Sequence, residues 1–486
     1  MPAHKKILSR KEDKKMKKVL ALLLALVMAL GLVACGGNQA GGDVPTLVWY
    51  MPADKQDDTA LVCEEINKII EPKIGAKIDI QYIASSDFAE RMRLIMASQE
   101  EFDLCFTGFN NNYLDGVRRG GFMEITDLLN EYGAALKEEI PDYLWEAANV
   151  NGELYAIPTY QAMTKCRAAY FDKELVDKYG FDVSKVKKMA DIVPYLETIR
   201  DNEKGNYFPA GRPSVDYFYE DAYRYEDTSI DYIKLDSKTN EVVFQYDVPE
   251  IQNARQQLKE WNDAGFFAPK GSSATQNQMA VWFTDGYRPG DVEDRAISRG
   301  RPIVAAQLSD FMMERKSANT TMTSISATSK NPEKAMQFLV EVNTNPDVFN
   351  LCAYGIKDKH YEMIDETHIK FIPDSGYKPG GNWKYGVLFN GYLLEGYADD
   401  LWTQIKAVND NSRKAKLLGF VADTTPVVTN ISQIANAVSE FSDLNDGTAT
   451  DLAAKTAEYE KKMVASGRDE LVEFAKKAIG EYLATK

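Results

Sequence analysis

Leu47-Val48-Trp49-Tyr50, Ile78-Asp79-Ile80-Gln81-Tyr82 and Phe102-Asp103-Leu104-Cys105-Phe106 are three short apolar stretches, and what lies between them decides the fold. The first is a continuous apolar run, as a strand buried on both faces requires. The second alternates apolar and polar, as a half-buried strand does. Between them, Asp57, Asp58 and Thr59 offer a helix start, and Val62, Ile66, Ile69 and Ile70 recur at helical spacing up to Pro72. Before the third, Phe88, Met92, Ile95 and Met96 make another helical stripe. Strands alternating with helices imply a parallel sheet with right-handed crossovers, hence an α/β fold. In open sheets of this kind ligands sit beyond the carboxyl ends of the strands. That points to Tyr50 to Pro52 and to Thr107 to Asn111.

Upstream of the first strand, Asn38 to Pro45 is small and polar and reads as part of a flexible tether spanning residues 35–45. Before it, Val19 to Leu32 is an unbroken run of 14 apolar or glycine residues, preceded by Lys14, Lys15, Lys17 and Lys18. A basic segment, a short apolar segment and small residues after it make a secretory signal over residues 1–34. Fourteen residues would span roughly 21 Å as a helix, short of a hydrocarbon core of about 30 Å. Leu32-Val33-Ala34-Cys35-Gly36 resembles the bacterial lipobox, which implies lipidation of Cys35, palmitate included, and an extracytoplasmic protein anchored to the cell membrane. Plain secretion with cleavage near Ala34 is the alternative. Met16, followed by Lys17 and Lys18, is a second candidate start beside Met1.

From Cys35 onward there are 452 residues, comfortable for two domains. Net charge is −16 overall; the first 34 residues carry eight Lys/Arg against two Asp/Glu, so the remainder carries about −22. A surface this acidic argues against nucleic acid or anionic lipid as a partner. Cys63, Cys105, Cys166 and Cys352 allow three disulfide pairings, but their separation and the apolar setting of Cys63 and Cys105 favour free buried thiols. No Cys/His cluster suggests a metal, and no cofactor is expected. Asp443-Leu444-Asn445-Asp446-Gly447 begins like a calcium loop, but its glycine comes early and its closing Glu is misplaced, so it reads as a turn before a helix. No Gly-x-Ser-x-Gly, His-Glu-x-x-His or phosphate-binding loop occurs, and His360 and His368 are the only histidines after Cys35. A glycan-active enzyme would need two converging carboxylates, which no fragment singles out. No fragment therefore points to catalysis, and no enzymatic activity is expected.

Five fragments in order resemble family 1 bacterial extracellular solute-binding proteins, the substrate-capturing subunits of ABC importers. They are Thr46 to Ile83 with Phe102-Asp103-Leu104, Gly121 to Leu129, Asn151-Gly152-Glu153-Leu154-Tyr155-Ala156-Ile157-Pro158, Tyr170 to Leu175, and Asn331-Pro332-Glu333-Lys334-Ala335. Ala353-Tyr354-Gly355-Ile356, His360-Tyr361-Glu362, Asn382-Trp383 and Gly419 to Asp423 with Thr425-Pro426-Val427 resemble the LipO-type lipoprotein branch, which carries a C-terminal region of undefined function. Val421-Ala422 departs from that branch's pattern. The resemblance implies a periplasmic-binding-protein type II-like fold: two discontinuous α/β lobes, joined by two or three crossing segments, with ligand in the cleft. The lobes are expected at 46–162 with 319–360, and at 163–318 with 361–486. Met322 to Ala327 reads as the strand that returns to the first lobe. The last 35 residues read as two amphipathic helices, packing rather than binding.

The implied function is capture of a sugar or oligosaccharide and transmembrane transport of it through ABC permease subunits, by a monomer that closes on its ligand. A sensory or adhesive glycan-binding surface lipoprotein is the alternative. A sugar has apolar C–H faces and a hydroxyl rim, and so needs aromatic faces and polar side chains. From strand ends come Tyr50, Lys55 and Asp57, then Thr107, Phe109 and Asn110. Tyr160 and Gln161 lie where the chain crosses between lobes. Trp282 ends an apolar segment, with Tyr287 and Arg288 after it. Trp383 and Tyr385 sit in a Gly-rich loop, and Trp383, flanked by Gly, Asn and Lys, is poorly placed for a core. Tyr217, Tyr219, Tyr223 and Tyr225 are spaced as an aromatic stripe and read as packing in the second lobe.

Overall fold

Thr46–Pro52, Lys77–Ile83 and Leu104–Thr107 are strands, and they pair in parallel with Thr46–Pro52 at the centre. A computed structural model describes residues 44–108 and 113–486. The signal, Cys35 and the tether up to Asp43 lie outside the described residues, as do Phe109 and Asn110.

The helix Thr59–Ile74 buries Val62, Cys63, Ile66, Ile70 and Ile74 along one face. It runs two residues beyond Pro72 and stops at Gly75, whose φ of 64° lets its N–H reach Glu71 O. The sheet is completed by Met322–Ile325, antiparallel to Leu104–Thr107, and by Ile157–Pro158 at the edge. Leu104–Thr107 and Met322–Ile325 are buried throughout, as strands covered on both faces should be. The helix Pro332–Thr344 follows at once, with proline in its first turn.

A second sheet runs Ile303–Gln307, Ala168–Asp172, Met279–Thr284, Phe208–Ala210 in spatial order. It is mixed: Met279–Thr284 is antiparallel to Ala168–Asp172 and parallel to Phe208–Ala210. Phe171, Leu196, Ile199, Leu258 and Val281 form its core.

One placement differs from the expected lobe boundaries. Tyr361, Ile369, Tyr377, Tyr385 and Leu388 pack into the first core, although residues 361–486 were expected in the second lobe. The reason is a hydroxyl network: Tyr82 Oη lies 2.8 Å from Tyr377 Oη and 2.9 Å from Tyr385 Oη. Separately, the meander Tyr225–Asp227, Ile233–Asp236, Val242–Phe244 joins the helices Val428–Glu440, Leu452–Ala465 and Arg468–Leu483 in a third core around Leu235, Phe244, Ile434, Tyr459 and Leu471. The two C-terminal helices are packing elements, with Leu471, Ala475 and Ile479 buried.

The chain passes between the two sheets at 159–167 and again at 308–321, and the segment 409–415 runs alongside. Asn409, fully buried, accepts from Met163 N (3.0 Å) and donates to Gln161 O (2.6 Å). Gln161 Nε2 donates to Thr321 Oγ1 at 2.8 Å, and Lys165 and Met312 exchange backbone hydrogen bonds of 2.7 and 2.8 Å. Met312–Met313 pairs in parallel with Arg413–Lys414. All four described cysteines are buried and unbridged. Among the described residues no helix is long and apolar enough to cross a membrane, and no three His, Cys, Asp or Glu side chains are grouped to hold a metal.

Candidate functional site

The crossing segments floor a cavity of about 340 Å³, lined by Ala162 to Lys165, Asp285, Gly286, Lys316, Ser317 and Thr320. Lys165 and Asp285 also line a second cavity of about 300 Å³. Its walls come from distant parts of the chain: Arg167 before the strand Ala168–Asp172, Asp216, Tyr219 and Tyr223 from the loop after Phe208–Ala210, Tyr225 and Asp227 from the meander, and Glu314, Gln245, Tyr246 and Asn445.

Its cations are matched within the wall, while the Asp285 carboxylate has no ion-pair partner among the described residues. Lys165 Nζ lies 2.8 Å from Glu314 and 3.1 Å from Asp227, and Lys234 also pairs with Asp227. Burial alone would drive the Lys165 ammonium down, but Glu314 and Asp227 reverse this and hold it above its ordinary range. Burial would likewise raise Asp227, yet Lys234 and Lys165 keep it far below the usual carboxylate range. Arg167 donates to Asp216 O at 2.6 Å, pairs with the Asp216 carboxylate, and faces the rings of Tyr217 (5.0 Å) and Tyr223 (5.4 Å).

Three polar atoms in these walls lack a partner among the described residues: Arg167 Nε, Thr164 Oγ1 and Tyr223 Oη. Arg167 is 6 % exposed and Thr164 8 % exposed. A buried polar atom left unpaired costs about 1–3 kcal/mol. Tyrosine faces, ion pairs already satisfied by one another and single unmatched polar atoms suit a neutral polyhydroxyl ligand better than a free ion.

The residues predicted from strand ends are placed elsewhere. Tyr50 packs on Phe102 and its hydroxyl reaches Glu100 at 3.4 Å. Lys55 and Asp57 line a groove of about 460 Å³ against Phe371 to Lys378. Thr107 is fully buried, opposite Met322. Tyr160 packs edge-on against Phe389, and Gln161 holds the crossing segments together. Trp282 stacks on Tyr170 beneath Arg299, and Tyr287 packs between Tyr170 and Phe311. Arg288 pairs with Asp291 and Asp294. Tyr385 is buried, edge-on to Trp49. Trp383 is 38 % exposed, as its flanking residues predicted, but lines neither cavity.

The stripe read as packing is where the cavity lies: Tyr219, Tyr223 and Tyr225 all line it, and only Tyr217 stands outside its wall. The usable signal was the company of those tyrosines. Asp216, Glu220, Asp221, Arg224 and Asp227 are interleaved with them, where an apolar core would bring aliphatic residues.

The model of the family described as bacterial extracellular solute-binding protein matches residues 58–348. A domain of unknown function, DUF3502, matches residues 416–484. A carbohydrate ABC transporter substrate-binding protein of Streptococcus pneumoniae serotype 4 is 28 % identical, covering 97 % of this chain and 99 % of the relative. The crystal structure of an N-glycan transport solute-binding protein of Streptococcus pneumoniae is 26 % identical with a TM-score of 0.79, covering 90 % of this chain and 99 % of that one. The same protein in complex with Man5GlcNAc gives 26 % identity and a TM-score of 0.67, covering 91 % and 99 %.

Proposed function

Because this chain belongs to the bacterial extracellular solute-binding protein family, we propose that it captures a neutral oligosaccharide in the paired cavities at Lys165 and Asp285 and delivers it to an ABC permease. The observation that carries the site is the wall itself: tyrosine faces beside cations that already have acidic partners, with Arg167 Nε, Thr164 Oγ1 and Tyr223 Oη left over. The ligand class is supported by the pneumococcal relative, whose structures hold Man1GlcNAc and Man5GlcNAc. The function is binding, not catalysis, as in the substrate-binding relatives.

The two sheets belong to two lobes, about 46–162 with 319–360 and about 163–318, with 361–394 added to the first. The segments laced by Asn409 and Gln161 are the hinge, and closure over the sugar presents a composite surface to the permease. The lipobox-like Leu32 to Gly36 supports two-chain lipid anchoring at Cys35, since one acyl chain gives only marginal membrane binding. The body then acts as a tethered monomer on the extracytoplasmic face.

A thermal-shift screen of mono- and oligosaccharides, Man5GlcNAc among them, tests this reading. A ligand at 100 times its Kd adds about 2.7 kcal/mol. A clear rise in melting temperature with at least one neutral glycan is expected; no rise with any glycan would overturn it.

A further inference from the structure

We infer that the C-terminal region of unknown function is part of the sugar site, and that Asn445 is its ligand-contacting residue. This rests on the reading of the 300 Å³ cavity as the sugar site.

Asn445 lines that cavity from the short helix Ser442–Asp446. That helix is fixed to the second core at three points. Gly447, at φ 75°, lies so close to Leu258 that an added Cβ would come within 2.7 Å of Leu258 O. Arg212 donates to Asp446 O, and Lys270 pairs with the Asp446 carboxylate at 2.6 Å. Arg255, fully buried on the helix Ile251–Asp263, donates from Nε to Asn445 Oδ1 at 3.0 Å.

The last contact decides which way the amide faces. A guanidinium has donors and no acceptor, so only the amide oxygen can meet Arg255. The Asn445 NH2 group is therefore turned from Arg255, and it has no hydrogen-bond partner among the described residues. An amide donor set in a cavity wall, with its orientation fixed from below, is made to meet an oxygen acceptor such as a sugar hydroxyl or an acetamido carbonyl. Arg255 is the positioning residue. The side chains that share this wall, Gln245 and Tyr246, follow the last strand of the meander, which packs on the same C-terminal helices. The region thus bears on ligand selection and is more than a buttress.

The test compares Kd for Man5GlcNAc by calorimetry, and melting temperature without ligand, for the wild-type protein, Asn445→Asp and Asn445→Ala. Asn445→Asp keeps the oxygen that faces Arg255 and replaces only the donor. Asn445→Asp is expected to melt near the wild type and Asn445→Ala below it, since Arg255 loses its acceptor, and both are expected to bind roughly 5- to 100-fold more weakly. Wild-type affinity in both variants, or affinity lost only in step with melting temperature, overturns the inference and leaves the sugar site standing. No binding of Man5GlcNAc or any screened glycan by the wild type overturns the sugar site and the inference with it.

Discussion

Among the tyrosine clusters of this protein, two groups of three do opposite work. Tyr82, Tyr377 and Tyr385 bring their hydroxyls together at 2.8 and 2.9 Å, and Tyr377 also donates to Cys352 O at 2.9 Å. The rings lie among Trp49 and other members of the first core, and every hydroxyl is satisfied inside the protein. Tyr219, Tyr223 and Tyr225 instead surround open volume, beside Arg167, Asp216, Lys165 and Asp227. The residue type is the same; the neighbours differ. Hydroxyls that close on one another among apolar side chains hold a core. Rings that face a cavity beside paired charges offer a surface to something else.

The largest effect that separates the clusters is on stability. Tyr385→Ala removes a fully buried ring and strips Tyr82 of a partner, and should cost about 3–5 kcal/mol in denaturant unfolding. Glycan affinity of the folded fraction should not change. A loss of affinity at unchanged stability would place Tyr385 in the site after all.

Next is the ion network beside the second cluster. Lys165→Met leaves Glu314, 3 % exposed in its side chain, without its cation, and should cost about 3 kcal/mol at pH 7. In the wild type the pair has a defined pH window. Asp227 is depressed in the fold, so its contribution is present above its ordinary value near 3.8 and is lost as pH falls below that. Lys165 is raised, so its contribution is complete below 10.5 and is lost as pH climbs beyond it. Unfolding followed from pH 7 down to pH 2 should show wild-type stability falling more steeply than that of Lys165→Met below about pH 4. Parallel curves would mean the network is too hydrated to matter.

Smaller in energy, but closest to function, is Tyr219→Ala. Tyr219 is half-buried and edge-on to Tyr225. Its loss should weaken glycan binding roughly tenfold, about 1–2 kcal/mol of stacking and contact area, with little change in melting temperature. The reverse pattern would return Tyr219 to the packing role that its spacing suggested. The smallest effect lies outside both clusters: Cys35→Ser should leave glycan Kd unchanged while moving the protein from membrane to soluble fraction on cell fractionation. Retention in the membrane fraction would remove the lipid anchor.

The first sheet was legible in the sequence because its strands are short, apolar and separated by helices with clear stripes, from Val62 to Ile70 and from Phe88 to Met96. Met322 to Ala327 was legible for the same reason, with a proline-started helix behind it. The site was much less so. Lys165, Arg167, Asp216, Asp227, Glu314 and Asn445 are separated by up to hundreds of residues, and no spacing rule joins them. Aromatic residues near strand ends looked like ligand contacts, yet Trp282 finds Tyr170 and Arg299, and Tyr385 finds Tyr82, within the protein. Whether a ring packs or binds depends on partners that only the folded chain brings near.

The most direct test is a crystal structure with Man5GlcNAc bound. Sugar rings are expected against Tyr219 and Tyr223, with ligand oxygens on Arg167 Nε and Thr164 Oγ1. A glycan seated instead in the groove between Lys55, Asp57 and Phe371 to Lys378, with the tyrosine-walled cavity empty, would contradict this placement.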